Sequence, residues 1–131
     1  FASSLMVDEF IMAPVLSQPS LPSPPFGNTA ALGISDSELQ IVKQRAQAGA
    51  GVLGLRFTCD NLCRKERFDT LTRELGKSGF EPIEINSCEG NPNKLDKKAH
   101  SVLTTELRLG EGHETEKALN RVLELFRKRL L

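Results

Sequence analysis

Hydrophobic residues recur along much of this chain with the period of an α-helix. Apolar side chains three or four positions apart, with polar residues between them, are typical of helices that bury one face. Amphipathic helices are therefore predicted over residues 1–9, 35–50, 64–79 and 114–131. The second of these opens with Ser35 and Glu38 at capping-box spacing and is expected to stop at Gly49.

Other apolar segments are too short for helices and predict β-strands instead. The run "GVLGLRF" is continuously apolar up to its arginine and is typical of a strand buried on both faces, as in a parallel sheet. Predicted strands cover residues 13–17, 51–57 and 80–87. The alternation of helix and strand predicts an α/β protein in which about three parallel strands are flanked by helices in three layers. Residues 1–131 are expected to form a single domain.

The segment after the first predicted strand is rich in proline. Pro14, Pro19, Pro22, Pro24 and Pro25 exclude a helix and a long central strand from this region. We interpret the segment as an extended surface loop. A proline-rich ligand for an adaptor domain is the alternative.

Composition and charge exclude several functions. Seventeen basic and seventeen acidic residues cancel, and the chain has no Trp or Tyr, so neither an electrostatic field nor stacking platforms for nucleic acid are expected. The apolar runs are too short for a membrane span, and no basic region precedes the first one, as a signal peptide would require. Three cysteines, an odd number, argue against a secreted disulfide framework. A cytoplasmic protein that contacts neither nucleic acid nor membrane is predicted.

Two residues stand where an α/β enzyme carries its chemistry. Asp60 follows the strand predicted over 51–57, and His100 lies in the polar loop after the strand predicted over 80–87. Ligands of open parallel sheets bind at the carboxyl ends of the strands. An acid after one strand and a histidine after the next is the order found in α/β-hydrolases, where the acid orients the imidazole that deprotonates a nucleophile.

Three stretches carry a resemblance to a known family: "MVDEFIMAPVLSQPSLP", "VLGLRFTCDNLCRKERFDTLTRELG" and "AHSVLT". Together they resemble the C-terminal half of the dienelactone hydrolase family of α/β-hydrolases. The resemblance implies a partial α/β-hydrolase-like fold, with Asp60 and His100 as the acid and base of a Cys (or Ser)–Asp–His triad. It also implies a small ester or lactone as substrate and no cofactor. Cys59 departs from the pattern, since the family usually has glycine before the acid.

The nucleophile that the resemblance requires is missing. No G-x-S-x-G or G-x-C-x-G elbow occurs in these 131 residues, and "FASSLMVD" is similar to the helix that follows the elbow. The chain is therefore expected to be a truncated domain that is inactive alone. Loss of a short tag would also explain a start at Phe1. Ser3, Ser4 and Ser17 lack an elbow, and Cys63, which precedes a helix and two basic residues, is the best candidate for a reactive thiol.

Other chemistry has weaker support in the sequence. Cys59 and Cys63 have C-x3-C spacing, but no second pair completes a zinc site, and all three cysteines are expected to be buried or incidental thiols. His113 is expected to be a solvated loop residue. No phosphate-binding glycine loop is found.

A non-catalytic function is the alternative to the hydrolase. In the full fold the outer edge of the first strand would pair with the strand that bears the nucleophile. An unpaired edge attracts another strand. The chain could therefore be an oligomerising or ligand-binding module, whose partner is a second copy or a complementary N-terminal half.

Overall fold

The computed structural model describes residues 2–20, 28–110 and 112–131. Helix α1 covers Ala2–Leu5, strand β1 Val15–Ser17, helix α2 Asp36–Gln47, strand β2 Val52–Phe57, helix α3 Lys65–Gly79, strand β3 Phe80–Ile85 and helix α4 Glu114–Leu130. The predicted order of elements is confirmed. Three prolines of the predicted loop, Pro22, Pro24 and Pro25, lie outside the described residues, as does Phe1.

The three strands form one parallel sheet in the order β1-β2-β3. In the registers, Leu16 pairs with Gly54, and Leu55 pairs with Ile83. All six residues of β2 are buried, which confirms the prediction of a strand covered on both faces. Because all strands run the same way, their carboxyl ends meet at one edge of the sheet.

Helices α2 and α3 cover one face of the sheet. Phe68 of α3 meets Phe80 of β3 edge to face, with ring centroids 5.3 Å apart. Gly54 of β2 lies under these two rings. The core on this face consists of Met6, Leu16, Val42, Ala46, Val52, Cys63, Phe68, Leu71, Leu75 and Phe80.

Helix α4 and part of the loop before it cover the opposite face, so the three-layer arrangement is confirmed. Leu53, Leu55 and Phe57 of β2 point to this side, alternating with the residues that face α3. The other members of this core are Ile85, Leu95, Ala99, Val102, Ala118, Val122 and Leu125. Ala99 and Val102 belong to the loop that carries His100, so this core also anchors that loop.

The ends of the helices follow the sequence signals. Ser35 and Glu38 form the predicted reciprocal capping box at the start of α2. Gly76 interrupts α3 with a φ of 69°, a left-handed conformation that favours glycine. His113 caps α4, because its ring nitrogen Nδ1 accepts a hydrogen bond from the N–H of Thr115. His113 is a loop residue, as expected, but its ring is partly buried and caps the helix, so the expectation that it is solvated is wrong.

Candidate functional site

Asp60 lies in the turn directly after β2, at the carboxyl edge of the sheet. Its carboxylate is buried, and Oδ1 accepts hydrogen bonds from the backbone N–H groups of Leu62 (2.8 Å) and Cys63 (3.2 Å). These two donors fix the plane of the carboxylate. They leave Oδ2 available for a partner outside the turn.

That partner is His100, as expected from the order of the strands. Its Nδ1 lies 2.6 Å from Asp60 Oδ2, the distance of a charge-assisted hydrogen bond. The side chain of His100 is 33% exposed, whereas that of Asp60 is only 3% exposed. The predicted proximity of acid and imidazole is confirmed; their catalytic roles stay a prediction. With Nδ1–H donating to Asp60, the lone pair of Nε2 is free to take a proton from another group.

A disulfide between Cys59 and Cys88 joins the segments that follow β2 and β3. Its Cα atoms are 5.2 Å apart, within the usual range. The expectation that these two cysteines are incidental thiols is therefore wrong. Because Cys59 Sγ is bonded to Cys88, it cannot bind a metal ion together with Cys63. The C-x3-C spacing therefore does not form a pair of metal ligands.

Hydrogen bonds also join the segments that follow β2 and β3, beside Asp60. The backbone N–H of Cys59 donates to Ser87 Oγ (3.2 Å), and the N–H of Ser87 donates to Thr58 Oγ1 (3.2 Å). Ser87 is fully buried. The turn that presents Asp60 is thus attached to the segment that leads towards His100 by a covalent bond and two hydrogen bonds.

The side chain of Arg56 binds the turn that contains Asp60. It is a buried arginine of β2, and its guanidinium donates to the backbone carbonyls of Cys63 (Nε, 3.0 Å) and Thr58 (Nη2, 3.1 Å). Nη1 pairs with the carboxylate of Glu84, its register partner on β3. The sequence analysis missed Arg56; the available signal was a lone charge inside an apolar run.

Cys63 does not have the environment of a reactive thiol. It is fully buried, and the pKa of its thiol is raised from the ordinary 9.0 to about 11, first by burial and then by the nearby Asp60 charge. A thiolate would therefore be scarce at neutral pH. The hypothesis that Cys63 replaces the nucleophile is wrong.

The tip of β1 carries an exposed hydroxyl and a buried amide. Ser17 Oγ donates to Gln18 Oε1 (2.6 Å) rather than to a histidine. Gln18 is 6% exposed, has a φ of 42°, and its Nε2 makes no hydrogen bond to any of the described residues. A left-handed φ in a residue other than glycine is uncommon and is often found at functional sites.

No cluster of three or more His, Cys, Asp or Glu side chains suited to a metal occurs in residues 2–20, 28–110 and 112–131. Within these ranges, every helix falls short of the length and apolar character that crossing a bilayer requires.

Comparisons of the chain with protein-family models, curated proteins and solved structures found no match.

Proposed function

We propose that this chain supplies the acid and base of a hydrolase for small esters or lactones, of the dienelactone hydrolase type. The observation that carries the proposal is the 2.6 Å contact between Asp60 Oδ2 and His100 Nδ1 at the carboxyl edge of a parallel sheet. One partner is buried and held by backbone donors, and the other is partly exposed. This arrangement supports the proposal that Asp60 orients His100 as a general base.

In the proposed reaction, a Cys or Ser outside these 131 residues attacks the carbonyl carbon of the ester. His100 Nε2 takes the proton of the nucleophile and passes it to the leaving alcohol, and Asp60 stabilises the imidazolium that forms in between. Water, deprotonated by the same nitrogen, then attacks the acyl carbon; the bond to the Cys or Ser breaks, the proton returns from Nε2 to that nucleophile, and the acid is released. No cofactor is required.

Gln18 adds support for a ligand that bears oxygen. Its Nε2 donor is buried at the tip of β1 and has no partner within residues 2–20, 28–110 and 112–131; β1 pairs with β2, the strand that Asp60 follows. A buried donor without a partner costs about 1–3 kcal/mol. A carbonyl oxygen of the ligand would offset this cost.

The test is hydrolysis of 4-nitrophenyl acetate by the product of the complete open reading frame that encodes the chain. We expect ester cleavage that falls to background in His100→Ala and Asp60→Asn, and background rates from the 131-residue chain alone. His113→Ala is the matched control, because it removes the second histidine of these 131 residues and should retain activity. Equal rates in the parent and in His100→Ala would overturn the proposal.

A second candidate, an oligomerising module, is favoured by the edge of β1. This strand pairs with β2 on one side, and no second strand flanks it among the described residues. The segment leading into it exposes Phe10 (82%) and Met12 (53%). Two copies that paired these edges would form a continuous sheet. Size-exclusion chromatography with light scattering tests this candidate, since a monodisperse monomer at low micromolar concentration would overturn it.

A further inference from the structure

Arg56 is a buried cation in a strand that is otherwise apolar. Its guanidinium lies 5.8 Å from the centre of the Phe68 ring and uses its donors on two backbone carbonyls and on Glu84. The Glu84 side chain of this ion pair is 34% exposed, so the pair itself is expected to contribute little to stability. The two bonds to backbone carbonyls instead connect the arginine to the turn after β2.

The two carbonyls that Arg56 binds enclose the turn of Asp60. Thr58 precedes the acid by two residues and Cys63 follows it by three. Cys63 is bound twice in this arrangement: its C=O accepts from Arg56 Nε (3.0 Å), and its N–H donates to Asp60 Oδ1 (3.2 Å). A single residue thus connects the guanidinium to the carboxylate.

The direction of the Asp60 carboxylate depends on this connection. Oδ1 is fixed by the N–H groups of Leu62 and Cys63, and its position determines where Oδ2 meets His100. The C=O and the N–H of Cys63 belong to adjacent peptide units that share its Cα, so a shift of the backbone at Cys63 that breaks the first bond also displaces the second, and Oδ2 moves away from the imidazole. We propose that Arg56 is a positioning residue that acts through the 58–63 turn and keeps the Asp60 carboxylate aimed at His100 Nδ1.

Only the expected effect of Arg56 on catalysis rests on the proposed function. The direct consequence of the positioning is the tautomer of neutral His100, which is Nδ1–H when Asp60 accepts from that nitrogen. An imidazole that loses this acceptor shifts towards the Nε2–H form. The ¹⁵N chemical shifts of the ring distinguish the two forms in buffer above the usual titration range of histidine.

The experiment compares Arg56→Met with Arg67→Met in the ¹⁵N-labelled 131-residue chain. Arg67 is also a buried arginine, but its donors go to the carbonyls of Pro19 and Ala31, and neither acceptor belongs to the 58–63 turn. We expect the ratio of Nε2–H to Nδ1–H tautomer of His100 to rise about tenfold or more in Arg56→Met and to stay at the parent value in Arg67→Met. A general loss of stability would affect both variants, so it would not produce this difference.

Arg56→Lys keeps the experiment decisive if Arg56→Met does not fold. Lysine retains the charge but lacks the planar fork that reaches three acceptors, so the same tautomer shift is expected. A parent-like tautomer ratio in whichever Arg56 variant folds, or an equal shift in Arg67→Met, would overturn the inference. Ester hydrolysis is measured separately, on the product of the complete open reading frame: a tautomer shift in the 131-residue chain without any hydrolysis by that complete product would reject the proposed function and leave the positioning role standing.

Discussion

The imidazole of His100 and the carboxylate of Asp60 meet at 2.6 Å, Nδ1 to Oδ2, while the other carboxylate oxygen is already occupied by backbone donors. Each oxygen of the acid thus has a separate task. Oδ1 binds the turn after β2, and Oδ2 binds the imidazole. This division makes the effect of amide substitution predictable.

Asp60→Asn should reverse the tautomer of His100 without unfolding the chain. The oxygen of the new amide will stay on the N–H groups of Leu62 and Cys63, so its NH₂ group will face His100 Nδ1. Nδ1 must then accept, and the proton moves to Nε2, which can no longer act as a base. Ring ¹⁵N shifts should report the change, and ester hydrolysis by the complete protein should fall about 10⁴-fold. An Asp60→Asn variant with the parent tautomer would contradict this assignment.

The disulfide between Cys59 and Cys88 should contribute substantially to stability. It closes a loop with a sequence separation of 29 residues, for which the chain-entropy model gives about 3–4 kcal/mol. Denaturant unfolding with and without a reducing agent measures this difference. Cys63→Ala is the control, because it should retain the response to reductant, whereas Cys59→Ala/Cys88→Ala should lose it. The same stability in both conditions would contradict the prediction.

The general fold was predictable because its signals are local. The helical period, the capping box at Ser35 and the apolar run of β2 each specify an element without reference to distant residues. The approach of Asp60 to His100 was also predictable, although they are 40 positions apart. Parallel strands bring their carboxyl ends to one edge, so strand order alone gave the juxtaposition.

The supporting contacts were not predictable because they depend on register. Arg56 meets Glu84 only because the two residues are register partners on β2 and β3. The same pairing of strands brings Cys59 within disulfide distance of Cys88. Counting three cysteines favoured free thiols, since composition carries no information about which two lie side by side.

Cys63 should resist alkylation in the folded chain. With its pKa raised to about 11, its thiolate is roughly a hundredfold rarer than at the ordinary 9.0. Burial adds a steric barrier. Mass spectrometry after iodoacetamide treatment should show no adduct under native conditions and a single adduct in denaturant without reductant. Rapid labelling of Cys63 in the native chain would contradict the prediction, because the buried thiol would have to become exposed to solvent.

The same thiol should make stability depend on pH in the alkaline range. The native state binds the proton of Cys63 more tightly than the unfolded chain does, so this contribution is fully present below pH 9.0 and is lost as the pH rises towards about 11. The free energies of unfolding of the parent and of Cys63→Ala, plotted against pH, should therefore converge or cross between pH 9.0 and about 11. A constant difference between them would contradict the raised pKa.

Gly54 should not tolerate a side chain, since β2 passes directly beneath two packed rings. A Cβ at this position would lie 2.6 Å from two ring atoms of Phe80 and 3.0 Å from Phe68. The rings cannot easily move, because they hold each other edge to face in the core. Gly54→Ala should cost about 1–3 kcal/mol, as overpacked core sites do. Chemical denaturation of Gly54→Ala, Phe80→Leu and the double variant tests the cause. If the clash is responsible, the double variant will lose less stability than the sum of the single losses; strictly additive losses would exclude the Phe80 contact as its source.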